Sequence, residues 1–94
     1  MQFIVVTRRR TETFTDAQFA EQLPAESVRA RELYAEGHFR TINSRGDIPG
    51  AVIVLEARDV DDARRLIGSL PLAKLEMMDV EIIPLRPYRG FVGG

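Results

Sequence analysis

The stretch Ala51–Ala57, AVIVLEA, constrains the fold more than any other part of the chain. Alternate residues of a strand point to opposite sides of a sheet, so Ala51, Ile53 and Leu55 face one way and Val52 and Val54 the other. Both sets are apolar. Such a strand must be covered on both faces or must leave one face for a partner. Gln2–Thr7 repeats the pattern, with Phe3 and Val5 set against Ile4 and Val6. A chain of 94 residues reads as one domain, 1–94, so the covering must come from a few short elements.

Those elements can be read in order. The strand Gln2–Thr7 ends in Arg8, Arg9 and Arg10. Thr15 followed by Gln18 is a capping-box pattern, which predicts a helix start near Asp16. Phe19 and Leu23 carry its apolar stripe toward Glu26. Pro24 lacks an N–H and disfavours helix at the residue before it, so the spacing predicts a kink or two helical pieces, the second opened by Pro24. Gly37 supplies the C-terminal cap. His38–Ser44 reads as a second strand and Arg45–Gly50, RGDIPG, as a hairpin loop leading into Ala51–Ala57. Asp59 caps a second helix with Val60, Ala63, Leu66, Ile67 and Leu70 on one stripe, and Pro71 stops it. Met77–Leu85 is the fourth strand, and the tail PYRGFVGG sets two aromatics among flexible residues.

The order β-α-β-β-α-β with right-handed crossovers predicts a ferredoxin-like α+β fold, a four-stranded antiparallel sheet with both helices on one face. The second face of the sheet is apolar and has no helix to cover it. Pairing of two sheets covers it most simply, which predicts a homodimer or a larger homo-oligomer.

Composition narrows the functions. The formal net charge of −1 makes no electrostatic case for nucleic acid or an anionic membrane. There is no cysteine, which excludes disulfides, thiolate metal sites and a thiol nucleophile. His38 is the only histidine, so a histidine-based metal site is not expected. MQFIVVTRRR is too short and wrongly flanked for a signal segment, and no apolar run approaches the roughly 20 residues that span a bilayer, so a cytoplasmic protein is expected.

Within Leu23–Gly37, at about 100° per residue, Ala30, Leu33, Tyr34 and Gly37 fall within about 80° of Glu26. A carboxylate therefore sits on the face expected to meet the core, where a charge is costly unless it is paired, hydrogen-bonded or neutralised.

The run AESVRARELYAEGHFR and the later SLPLAKLEMMDVEIIPL resemble the muconolactone isomerase family. The shared features are the helix ending in Glu36–Gly37, Phe39 and Arg40 just after it, the Leu70-Pro71-Leu72 exit from helix two, and the strand Met78-Asp79-Val80-Glu81. The likeness covers about residues 20–85. It implies a dimeric α+β barrel built from ferredoxin-like sheets, no metal or organic cofactor, and a 1,3 proton shift that moves a double bond within a small unsaturated lactone. One base removes the proton α to the carbonyl and returns it at the γ carbon. The chain departs from the family in Arg40–Ser44, which lacks a second aromatic and a histidine. It also has two extra residues between Leu72 and Met78 and a shorter tail, so the substrate itself does not transfer.

Each candidate residue has a functional and a structural reading. Glu26 matches the family's glutamate, and burial would raise its pKa toward that of a base working near neutral pH. Structurally it is a first-turn glutamate favoured by the helix dipole. His38 is either a catalytic acid or a residue at the helix C-cap. Arg40 could hold a substrate carboxylate or lactone carbonyl, or pair with Asp79 or Glu81 across the sheet. Asn43 and Ser44 could hydrogen-bond an enolate oxygen, or simply form the turn. Asp79 and Glu81 share the face opposite Met78, Val80 and Ile82 and suit ion pairs at an interface with Arg40 or Arg8. Arg8–Arg10 reads as a solvated strand end.

The function expected is therefore a cofactor-free isomerase acting on a small unsaturated lactone or related oxoacid, with Glu26 and His38 catalytic and Arg40 and Asn43 binding substrate. Two other readings stand beside it. One is a non-catalytic oligomeric accessory protein of the same fold, and the other is a cofactor-independent oxygenase or cyclase of the same barrel group.

Overall fold

Alternation along the first strand builds the core. In a computed structural model that describes residues 1–91, Phe3, Val5 and Thr7 are buried while Ile4 and Val6 between them stay half-exposed. The elements are β1 (Gln2–Arg9), α1 (Asp16–Ala35), β2 (Phe39–Ser44), β3 (Ala51–Glu56), α2 (Val60–Gly68), a one-turn α3 (Pro71–Lys74) and β4 (Met78–Pro84), followed by a 3-10 turn at Arg89–Phe91. The sheet is antiparallel throughout, in the order β2-β3-β1-β4. This is the ferredoxin-like α+β arrangement. Register sets Phe3 opposite Leu55 and Val5 opposite Ile53, and these pack with Phe19 and Leu33 of α1 and Leu66 and Ile67 of α2 in one cluster. The other face carries Val52, Val54, Ile4 and Val6, all half-exposed. Among the described residues no helix is long and apolar enough to cross a membrane.

The helix ends follow from their sequences. The Thr15 hydroxyl accepts from the Gln18 amide at 3.2 Å and the Gln18 side chain accepts from the Thr15 amide at 2.8 Å, completing the capping box. At the other end Gly37 has φ +85°, a conformation in which a Cβ is strained. That turn lets the Gly37 amide reach the Tyr34 carbonyl at 3.0 Å and the His38 amide reach that of Leu33 at 2.9 Å, closing a Schellman motif. Asp59 caps α2 through the Asp62 amide at 2.8 Å. Asp62 is itself buried and accepts from the Arg58 amide and the Arg65 and Arg58 guanidinium groups, which hold its pKa well below the usual carboxylate range.

Several expectations are corrected. Pro24 does not divide α1 into two helical pieces or open a second one, because the helix is continuous from Asp16 to Ala35 with Pro24 inside it. Pro24 and Ala20 are both exposed, so water can satisfy the Ala20 carbonyl that the missing N–H leaves free. Tyr34, expected on the core-facing stripe, is 60% exposed, since it lies at the margin of the arc that Leu33 centres. The second helix ends at Gly68 with Ser69 as its cap, so Leu70 lies outside α2 instead of on its stripe, and Pro71 opens α3, where its fixed φ suits the first helical position. Within the chain Arg40 does not pair with Asp79 or Glu81 across the sheet, because β2 and β4 are its opposite edges. Of the tail, residues 92–94 lie outside the described residues; before them Tyr88 and Phe91 stack edge to face at 5.0 Å.

Candidate functional site

Between α1 and the helix-covered face of β1, β2 and β3 lies a cleft of about 210 Å³. Leu23 and Ala30 of α1 form one wall, Ile42 and Ile53 of the sheet another, and Leu70 and Leu72 close it from the side of α3. Into this mostly apolar space reach Glu26 from α1 and Thr7 and Arg9 from β1.

Glu26 is half-buried, and its Oε1 accepts the Leu72 amide at 2.9 Å. Leu72 sits in the first turn of α3, whose preceding residue, Leu70, offers no capping side chain. Glu26 thus does the capping from 46 positions away. Among the described residues its Oε2 has no hydrogen-bond partner. Burial raises the Glu26 pKa, against the opposing pull of the Leu72 amide and the Arg9 charge.

Thr7 is 4% exposed, and its hydroxyl oxygen accepts the Ala51 amide at 2.9 Å where β1 and β3 part. The bond uses Thr7 as an acceptor and leaves its hydroxyl proton to donate. Arg9 follows the same alternation as Phe3, Val5 and Thr7, so it lies on the helix-covered face, with its guanidinium carbon 5.6 Å from the centre of the Phe19 ring. Its neighbours are engaged elsewhere. Arg8 bridges Glu12 and Asp79, and Arg10 also reaches Asp79. Hydrogen bonds from Arg8 hold the Glu12 carboxyl down to about 2.

The other sequence candidates fall elsewhere in the single chain. His38 precedes β2, with Nε2 3.6 Å from a Glu36 carboxylate oxygen. It stands four residues from Ile42, the nearest residue of β2 that lines the cleft, a separation of roughly 13 Å along an extended strand. Arg40 is exposed at a register shift between Phe39 and Thr41. Asn43 borders the cleft, but it pairs with Val52 and so turns its side chain to the opposite face. Ser44, opposite Ala51, turns toward the cleft. Asp79 takes its partners, Arg8 and Arg10, from its own chain. Thr7, which the sequence reading passed over, and Arg9, which it placed in a solvated run, both line the cleft, and the odd-numbered parity of β1 signals both.

Fold and cleft together define a ferredoxin-like α+β protein with a carboxylate set in a ligand-sized, largely apolar recess. The sequence profile of the muconolactone delta-isomerases matches residues 1–90, and the chain belongs to that family. The crystal structure of a muconolactone isomerase shares the fold with a TM-score of 0.79, over 100% of this chain and 97% of that one, at 20% identity. No curated protein matches the chain.

Proposed function

We propose that the chain is an isomerase that shifts a proton, and with it a double bond, in a small unsaturated lactone or related oxoacid, with Glu26 as the base. The observation that carries this reading is the state of the Glu26 carboxylate: half-buried in the cleft, anchored through Oε1 and unoccupied at Oε2. Oε2 takes the proton α to a carbonyl, so that a C–H bond breaks and an O–H bond forms while the electron pair moves into the dienolate. The carboxylic acid, half-exposed and so able to exchange its proton with solvent, then delivers a proton at the γ carbon. No oxidant or further reactant enters the balance. A pKa raised by burial suits a group that must both take and return a proton. The Thr7 and Ser44 hydroxyls are available as donors to the developing oxyanion.

The accessory-protein reading requires the recess to be filled by the chain's own bulky side chains. Of the side chains that would fill it, Phe39 lies in the core and Tyr34 points outward, while Met78 lines the cleft and leaves about 210 Å³ of it open, which supports the isomerase reading. The test is proton exchange: a panel of unsaturated lactones and oxoacids incubated with the protein in D₂O should include at least one compound that gains deuterium at both the α and γ positions. Silence across the panel defeats the proposal.

The apolar strip of Ile4, Val6, Val52 and Val54 supports self-association through the open sheet face. Sedimentation at micromolar concentration should show a dimer or a larger species, and Val54→Lys should shift it toward monomer. A clean wild-type monomer defeats this expectation.

A further inference from the structure

We infer that Arg9 sets the charge specificity of the cleft, holding an anionic arm of the substrate at the junction between the Glu26 recess and a second recess beside it. The inference rests on the proton-shift reading for the rest of the substrate and adds the group that orients it.

Arg9 is half-buried and points into the recess, yet among the described residues it makes no ion pair, while Arg8, Arg10, Arg45 and Arg65 each reach a carboxylate. The Arg9 charge is felt by Glu26, but with no carboxylate within ion-pair reach its fork of donors stays open, and a ligand carboxylate is the planar, two-oxygen group that this fork fits. Contact with the Phe19 ring keeps the guanidinium against the wall of the recess. Glu26 faces the same recess but forms no ion pair with Arg9, and its Oε1 is committed to Leu72. Two opposite charges thus flank an apolar space, which suits a ligand with an anion at one end and an acidic C–H at the other.

Arg9 and Leu23 also wall a second recess of about 230 Å³ that runs past Phe19 toward Pro49. Asp16 lines that recess and disfavours an anion deep within it. The anion is therefore held at the junction, beside Arg9, with the reacting ring on the Glu26 side.

The experiment compares acids with their methyl esters. Arg9→Gln should weaken KM for an unsaturated lactone bearing a carboxylate arm by about 10- to 100-fold, the range of a lost charge-assisted hydrogen-bond pair, and leave the ester unchanged. Arg9→Lys should recover part of the loss. Titration calorimetry with the saturated, unreactive lactone acid should show the same Arg9 dependence without turnover, on variants whose melting matches wild type. Equal weakening of acid and ester, or none for either, overturns the inference. Arg9-dependent binding of the saturated acid, together with no deuterium uptake by any compound, keeps the anchor and defeats the proton-shift reading.

Discussion

Glu26→Gln should lower α,γ-deuterium exchange by about 10³-fold, within the range that a positioned general base supplies, and leave the fold intact. Gln keeps an oxygen where Oε1 accepts the Leu72 amide, so the tie between α1 and α3 survives while the base is lost. The pH dependence carries a definite sign. Burial raises the Glu26 pKa in the folded chain, so folding favours the protonated form. Stability is therefore lost as pH climbs through the ordinary carboxylate value, and the loss levels off above the raised folded value. A neutral Gln does not suffer it. Thermal melts should show the variant close to wild type in acid and at least as stable at neutral pH. Wild-type exchange should rise with pH as Glu26 ionises. Exchange that persists in Glu26→Gln rules out this residue as the base.

Much of the architecture was legible because its determinants are local. The alternation in Gln2–Thr7 and Ala51–Ala57, the Thr15–Gln18 box, the Asp59 cap and the glycine at 37 each act within a few residues, and each forms as the pattern predicts. What escaped depends on positions distant in sequence. Pro24 is tolerated because it faces solvent, which depends on how the whole helix rolls onto the sheet. The turn α3 forms where a carboxylate from α1 reaches across to cap it, a partner 46 residues away. Arg40 was matched with Asp79 and Glu81, although the strand order implied by two right-handed crossovers already puts β2 and β4 on opposite edges. Glu26 was legible as a misplaced charge. Arg9 was read as part of a solvated basic run, when the parity of β1 separates it from Arg8 and Arg10 and sends it to the covered face.

Gly50→Ala should be among the most damaging single-methyl additions in the chain. A Cβ at Gly50 would lie 2.1 Å from the Thr7 carbonyl oxygen and 2.9 Å from its carbon, and both are backbone atoms that cannot swing aside. Bonds on either side pin the approach. The Ala51 amide donates to the Thr7 hydroxyl at 2.9 Å, the Arg9 amide donates to the Pro49 carbonyl at 3.0 Å, and Arg45 donates to the Thr7 carbonyl at 3.3 Å. Relieving the clash means separating β1 from the start of β3, which breaks at least one of these. Overpacking of this kind costs about 2–3 kcal/mol, at the upper end of the usual range. For a domain of this size that is a fall in Tm of roughly 10–20 °C, at about 4–8 °C per kcal/mol. Gly46→Ala is the control, since a Cβ there meets nothing within 4 Å, and its Tm should stay within about 4 °C of wild type on the usual scale of surface substitutions. Thr7, Gly50 and Ala51 also wall the Glu26 recess, so the same displacement should weaken Arg9-dependent binding of the saturated acid at temperatures where the variant is still folded. If Gly50→Ala melts with Gly46→Ala, the hairpin yields without cost, and the close approach of β1 and β3 does not shape the recess.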